Sequence, residues 1–238
     1  MECWEIRDFK NDLEKLVELI DKYKIPCEIS DVHNLIGKFY ELKNFDYRLF
    51  NIAFKINKKI AGSQPDMEEY EVFFNNVIST KTDKQDNFDC ITEFLFEINI
   101  EGHISEKMES LKSCWHLDKH IESTNGHDGT PKFTHPSYHF QFGGEFIQSS
   151  DKGDLGILAN PRIPHPPMDI FLGFNFIINN FYNRNDYDFV NKLLENYDYL
   201  YILKRAQDRL WLPYFKAFDQ TNTHNDFTVN KIFPLYIN

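Results

Sequence analysis

Three short phrases of this 238-residue chain carry residue types and spacings that could do chemistry. The first is Cys114-Trp-His-Leu-Asp-Lys-His120, the second His135-Pro-Ser-Tyr-His-Phe-Gln141, and the third Arg162-Ile-Pro-His-Pro-Pro-Met-Asp169. On a strand, successive side chains point to opposite faces. In the first phrase Trp115 and Leu117 then point one way, while Cys114, His116, Asp118 and His120 point the other. The second splits likewise, with Tyr138, Phe140 and Phe142 against His135, Ser137, His139 and Gln141. If the two strands pair, the polar sets form one patch, with opposed Cβ atoms about 5 Å apart.

That patch supports three chemistries. Residues two apart on a strand lie about 6.5 Å from one another, near enough to clasp one ion. His116 with Asp118, or Asp118 with His120, plus His139 from the next strand would make a three-ligand site for zinc, iron or manganese. His116, Asp118 and His120 together are a poorer set, because the outer pair lies about 13 Å apart. The spacing fits no zinc signature such as H-E-x-x-H. The second chemistry needs no metal: Asp118 orients an imidazole as general base, and Cys114 serves as an activated thiolate. Gly143-Gly144 would let backbone approach a ligand closely. The third reading is structural, a mutually hydrogen-bonded set of buried polar groups.

The proline-rich phrase adds candidate binding residues. Four prolines in seven positions make Pro161 to Pro167 a rigid crossing. Arg162 offers a planar fork for a carboxylate or phosphate, or an internal ion pair. His165 and Asp169 either join the patch or dock the crossing onto the sheet, and Asp169 is placed to cap the next helix. The binding candidates are therefore His135, Gln141, Arg162, His165 and Asp169.

The elements that must position these residues are read from periodicity. Ile6, Phe9, Leu13, Leu16, Val17 and Ile20 form a helical stripe, as do Val32, Leu35, Ile36 and Phe39. Steps of three and four also link Phe45, Leu49, Ile52, Ile56 and Ile60, predicting a third helix. Asp66 and Glu69 resemble a capping box for a fourth, with Met67, Tyr70, Phe73, Phe74 and Val77 on its buried face. Residues 1–80 are thus expected to be a helical layer. Lys55, Lys58 and Lys59 would be that layer's solvated face.

From Phe88 the period changes to two, through Cys90, Thr92, Phe94, Phe96, Ile98 and Ile100. Gly102-His103 is expected to turn the chain into a second strand ending at His120. A third strand is expected from about Phe133 to Phe142 and a fourth over Leu155 to Leu158. Strands in succession without helices between them predict an antiparallel meander. A buried helix over Met168 to Asn180 follows, then a helical stretch from Asp186 to Leu212 broken near Asn196, and an extended tail. The expected fold class is α+β, with 1–80 and 88–238 as parts of one compact domain.

Composition narrows the function. The chain is 42% hydrophobic and 16% aromatic, which excludes a disordered chain. Its net charge of −11 disfavours sequence-independent nucleic-acid binding. Four cysteines without a C-x-x-C pair fit reduced thiols. No signal peptide and no membrane span are read, so a cytoplasmic location is expected. His33, His103, His127 and His224 read as isolated surface residues. Tyrosines around Tyr197 to Tyr201 and Tyr214 hint at a protein interface.

The Trp-His-Leu-Asp-Lys-His, His-Pro-Ser-Tyr-His-Phe-Gln-Phe-Gly-Gly and Pro-Arg-Ile-Pro-His-Pro-Pro-Met-Asp phrases resemble signatures of a largely uncharacterised bacterial family associated with mobile or anti-phage gene neighbourhoods. The resemblance covers roughly residues 112–182 and implies no particular activity. The order of elements also resembles the ubiquitin-conjugating and RWD class. No cysteine follows the crossing where a conjugating enzyme needs one, so that resemblance implies an inactive, binding member. The functional expectation is a protein-interaction or scaffolding subunit of a bacterial multi-component, possibly defensive, system. The alternative is a metal-dependent hydrolase or nuclease built on His116, Asp118, His120 and His139.

Overall fold

The computed structural model describes residues 5–39, 45–58, 69–80, 89–104, 109–120, 134–148, 161–219 and 228–235. In chain order the elements are helix α1 (Ile6–Tyr23), strand β1 (Cys27–Glu28), α2 (Ser30–Lys38), β2 (Asp46–Ile56), β3 (Glu69–Thr80), β4 (Ile91–Ile104), β5 (Glu109–Lys119) and β6 (Tyr138–Phe142). They continue with α3 (Glu145–Gln148), β7 (Ile163–Pro164), α4 (Ile170–Phe181), α5 (Asp188–Leu194), α6 (Tyr197–Lys216) and α7 (Val229–Ile232). The strands form one antiparallel seven-stranded sheet in the order β1-β2-β3-β4-β5-β6-β7. The fold class is mixed α+β.

Two of the expected N-terminal helices are strands. In β2 the buried side chains are Tyr47 and Leu49, then Ile52, Phe54 and Ile56. The register shifts between Leu49 and Ile52, and Asn51 between them adopts a left-handed φ of 56°. This bulge inserts one residue and flips the parity. The resulting three-residue step from Leu49 to Ile52 imitates helical spacing.

In β3 the alternation Tyr70, Val72, Phe74 continues at a polar residue, Asn76, before Ile78. Asn76 is fully buried on the core face, accepting from the Tyr47 hydroxyl at 2.5 Å and donating to the Leu95 carbonyl at 2.9 Å. A polar residue in the buried row concealed the period of two. The described residues within 1–80 therefore contribute two helices and three strands, and β3 pairs with β4 along its whole length. Lys55 lies on β2 and Lys58 just beyond it, both exposed; Lys59 and the proposed cap Asp66 lie outside the described residues.

Gly102 and His103 do not turn the chain. Both stay in β4, paired with Tyr70 and Glu69. The strand expected over Leu155–Leu158 lies outside the described residues. The crossing itself supplies the last strand, with Ile163 opposite Phe140 and Pro164 opposite His139.

One sheet face packs against α1, α4 and α6. Phe9 of α1 touches Tyr47 and Phe171, with ring centroids 5.3 and 4.9 Å apart. Phe174 of α4 meets Phe54 at 5.6 Å. Gly173 lies so near the Phe74 ring that an added Cβ would fall 2.2 Å from Cζ. The helices expected after the crossing are α4, α5 and α6, and the expected break is Asn196, the N-cap of α6. The tail carries the short helix α7, with Ile232 buried in the core. Among the described residues no helix is long and apolar enough to cross a membrane.

Candidate functional site

The strand parity expected for the two chemical phrases is present. Leu117 opposes Phe140 and Trp115 opposes Phe142 on the helix-covered face. On the other face His116 opposes Gln141, and Asp118 opposes His139. The rows extend inward: Glu97 of β4 pairs with His116 and with Asn75 of β3, while Asn99 pairs with Cys114. The sheet thus brings together Cys114, His116, Asp118, His139 and Gln141. His120 and His135 lie at the same edge, their rings stacked with centroids 4.5 Å apart, and His135 meets His139 at 4.7 Å.

Glu97 and the two asparagines were not singled out in the sequence, although alternation placed Glu97 and Asn99 on this face. The Glu97 carboxylate accepts from Asn75 Nδ2 at 2.7 Å and from Asn99 Nδ2 at 3.0 Å. Asn75 in turn accepts from the Asn51 backbone N–H at 2.7 Å, which ties the polar face to the β2 bulge.

Cys114 does not fit the role of activated thiolate. Its side chain is fully buried, and burial, followed by the Glu97 carboxylate, pushes the thiol up to about 12. Thiolate nucleophiles need the opposite, an exposed and electropositive setting.

His116 has both ring nitrogens engaged. Nδ1 lies 2.7 Å from the Gly143 carbonyl and Nε2 lies 3.1 Å from Asp118 Oδ2. Two acceptors facing one imidazole favour the doubly protonated ring, and the hydrogen bond to Asp118 raises its pKa above 6.5. An imidazolium donating from both nitrogens has no lone pair for a general base. Gly143 and Gly144, at φ 110° and 135°, bring backbone up to β5. A Cβ on Gly144 would sit 3.3 Å from Cys114 Sγ, so the backbone here closely approaches the strand.

The metal set meets a similar difficulty. Asp118 Oδ2 is 3.8 Å from His139 Nε2, and His139 is only 2% exposed. Burial pushes His139 down to about 4, so it is neutral. Its Nδ1 has no hydrogen-bond partner, although the Pro136 carbonyl is near enough to oppose part of the burial effect. Among the described residues no three His, Cys, Asp or Glu side chains are grouped to hold a metal ion. His116, Asp118 and His139 supply the ligand types for the hydrolase or nuclease reading, but not the arrangement.

Two candidates lie on the other side of the sheet. His165 packs against Phe140 and Trp211, with ring centroids 5.7 and 6.4 Å away, and its backbone N–H donates to the Tyr138 carbonyl at 3.3 Å. Asp169 is fully buried and caps α4, accepting from the Phe171 and Leu172 N–H groups at 3.1 Å each. Its second oxygen meets Arg209. Both residues dock the proline crossing and belong to no site with His116. Arg162 is near enough to the histidine edge for its charge to lower His135 and His139. His33 and His103 are exposed, while His127 and His224 lie outside the described residues.

The expected tyrosine surface divides. Tyr197 and Tyr201 are exposed at 79% and 50%, whereas Tyr199 and Tyr214 are core residues.

The chain is therefore a mixed α+β protein with one helix-covered sheet face and one hydrogen-bonded polar face. In comparison with known proteins, no family model, no curated protein and no solved structure matches it.

Proposed function

We propose that the chain is a protein-interaction subunit that engages its partner through the outer face of α6. One observation carries this reading. Tyr197, Leu200, Tyr201, Leu212, Phe215 and Phe218 are all large apolar side chains exposed along α6 or just past its end. Tyr197, Tyr201, Arg205, Leu212 and Phe215 fall at steps that keep them on one stripe of a helix. Arg205 lies over the Tyr201 ring with its guanidinium carbon 4.5 Å from the centroid. Aromatic side chains and arginine are the residues that dominate protein interfaces, and two exposed apolar groups on one helix face, with the Lys204–Asp208 pair between them, fit such a surface. The engaged state of Cys114 and His116 favours binding over catalysis. Membership of a bacterial, possibly defensive, assembly rests on the sequence resemblance alone.

The test is affinity purification of the full chain from its own host, beside a Tyr201→Glu/Phe215→Glu variant. A stoichiometric partner held by the wild type and lost by an equally stable variant supports the reading. The same proteins recovered with both would sink it. So would turnover of a defined substrate by the isolated chain, abolished by His116→Ala without loss of folding.

A further inference from the structure

We propose that Arg162, with His135, His139 and His120 beside it, forms a binding site for a phosphate group. This site lies on the polar sheet face and is separate from the α6 surface.

The argument begins with what Arg162 lacks. Arg48, Arg205 and Arg209 each meet a carboxylate, on Glu93, Asp12 and Asp169. Arg162 has no ion pair among the described residues, and its buried Nε–H finds no acceptor. A buried, unsatisfied guanidinium N–H is costly and rare, so its persistence calls for an explanation. The local backbone offers one. Arg162 stands between Pro161 and β7, whose Ile163 and Pro164 are held in register against Phe140 and His139. By strand parity Arg162 shares a face with Pro164, which is paired with His139.

The neighbours add imidazole rings to the lining. His120, His135 and His139 form a continuous row of rings, with centroids 4.5 and 4.7 Å apart. The Arg162 charge is close enough to act on both His135 and His139. Among the described residues His139 Nδ1 is buried short of a well-formed hydrogen bond, with the Pro136 carbonyl nearby. Asp118 Oδ2 is shared between His116 Nε2 at 3.1 Å and His139 Nε2 at 3.8 Å. His120, His135 and Arg162 are each only partly buried, so the row can be reached from solvent.

These nitrogens come from three chain segments: the end of β5, β6 with the residues leading into it, and the crossing before β7. Donors arriving from several directions suit a tetrahedral oxyanion better than a flat carboxylate, which a single guanidinium fork satisfies in its own plane. In a chain with net charge −11 the Arg162 guanidinium is the charge that would select an anion at this edge.

The test is titration of the full-length protein with inorganic phosphate at constant ionic strength, followed by calorimetry and by histidine ring resonances. The expected result is saturable one-to-one binding that shifts the His135 and His139 signals. Arg162→Gln should weaken it roughly tenfold or more, and the control Arg184→Gln should leave it unchanged. If Arg162→Gln fails to fold, Arg162→Lys keeps the charge, loses the fork and should still bind more weakly. Adenosine monophosphate binding at least tenfold more tightly would assign the phosphate to a nucleotide; equal or weaker binding would assign free phosphate. Non-saturating shifts, unchanged affinity in both Arg162 variants, or acetate binding as tightly as phosphate would overturn the proposal.

Discussion

Asp169 and Arg209 form a buried ion pair in which the carboxylate does two jobs: one oxygen caps α4 and the other holds the guanidinium of α6. Arg209 also lies over the rings of Phe9 and Phe171, at 5.1 and 5.9 Å from their centroids. The pair therefore joins α1, α4 and α6 where they meet above the sheet. Removing one member of a buried pair leaves the other charge unmatched, which costs about 3–5 kcal/mol. Asp169→Ala should lower stability by that amount in urea unfolding. Asp169→Asn keeps an acceptor for the cap and should lose less. Equal losses in the two variants would mean that the charge contributes little.

Gly173 sits inside α4, where alanine would ordinarily gain about 1 kcal/mol. Here the added methyl meets the Phe74 ring, itself fully buried and unable to yield. Gly173→Ala should instead destabilise by about 1–3 kcal/mol. Phe74→Leu, costly alone, should recover part of that loss in the double variant, and the coupling is read from a double-mutant cycle.

The polar face should make stability depend on pH in two opposite ways. His116 is raised above its ordinary 6.5, chiefly by its hydrogen bond to Asp118. Its contribution is complete below about 6.5 and is lost as pH rises through the raised folded value. His139 is pushed down from 6.5 to about 4 by burial, so the unfolded chain binds its proton first. Stability is lost on this account as pH falls from about 6.5 to about 4, on the order of 3 kcal/mol when complete. Burial lowers His165 too, in the same direction. In urea midpoints measured across pH, His139→Gln should flatten the acid limb and His116→Gln the alkaline one. Limbs unchanged from wild type would contradict these protonation states.

Cys114 and Cys27 should resist alkylation in the native protein. Burial pushes both thiols up to about 12, so almost no thiolate is present at pH 8. Iodoacetamide labelling read by peptide mass spectrometry should leave both unmodified until denaturant is added. Native labelling of Cys114 at the rate of a free thiol would restore it as a candidate nucleophile.

Much of this was legible in the sequence wherever one face is apolar and the other polar without interruption. Residues 114–120 and 135–142 alternate cleanly, and both their faces and their pairing follow from that. The argument failed where a single residue broke the rhythm. Asn51 flips the parity of β2, and Asn76 puts an amide into a buried row, so neither strand shows a period of two. Gly102 reads as a turn residue locally, yet it pairs within a long strand because Tyr70 lies opposite it. For His165 and Asp169 the sequence left open whether they join the patch or dock the crossing, while the Asp169 cap on α4 was legible. Strand parity ends at Gly143-Gly144, and the face on which the chain returns is set by the packing of α4 and α6. That packing has no local signal.

The unbroken order of the sheet has a kinetic consequence. Every strand pairs with its neighbour in the chain, so each hairpin can close without waiting for distant segments. The helical cover is different. Arg205 reaches Asp12 across 193 positions, and Asn196 reaches Tyr23 across 173. Chain closure over such spans is slow and is rewarded only once the sheet offers an apolar face to close upon. Folding is therefore expected to zip the meander first and to seat α1 against α6 last, making that seam the first to open again.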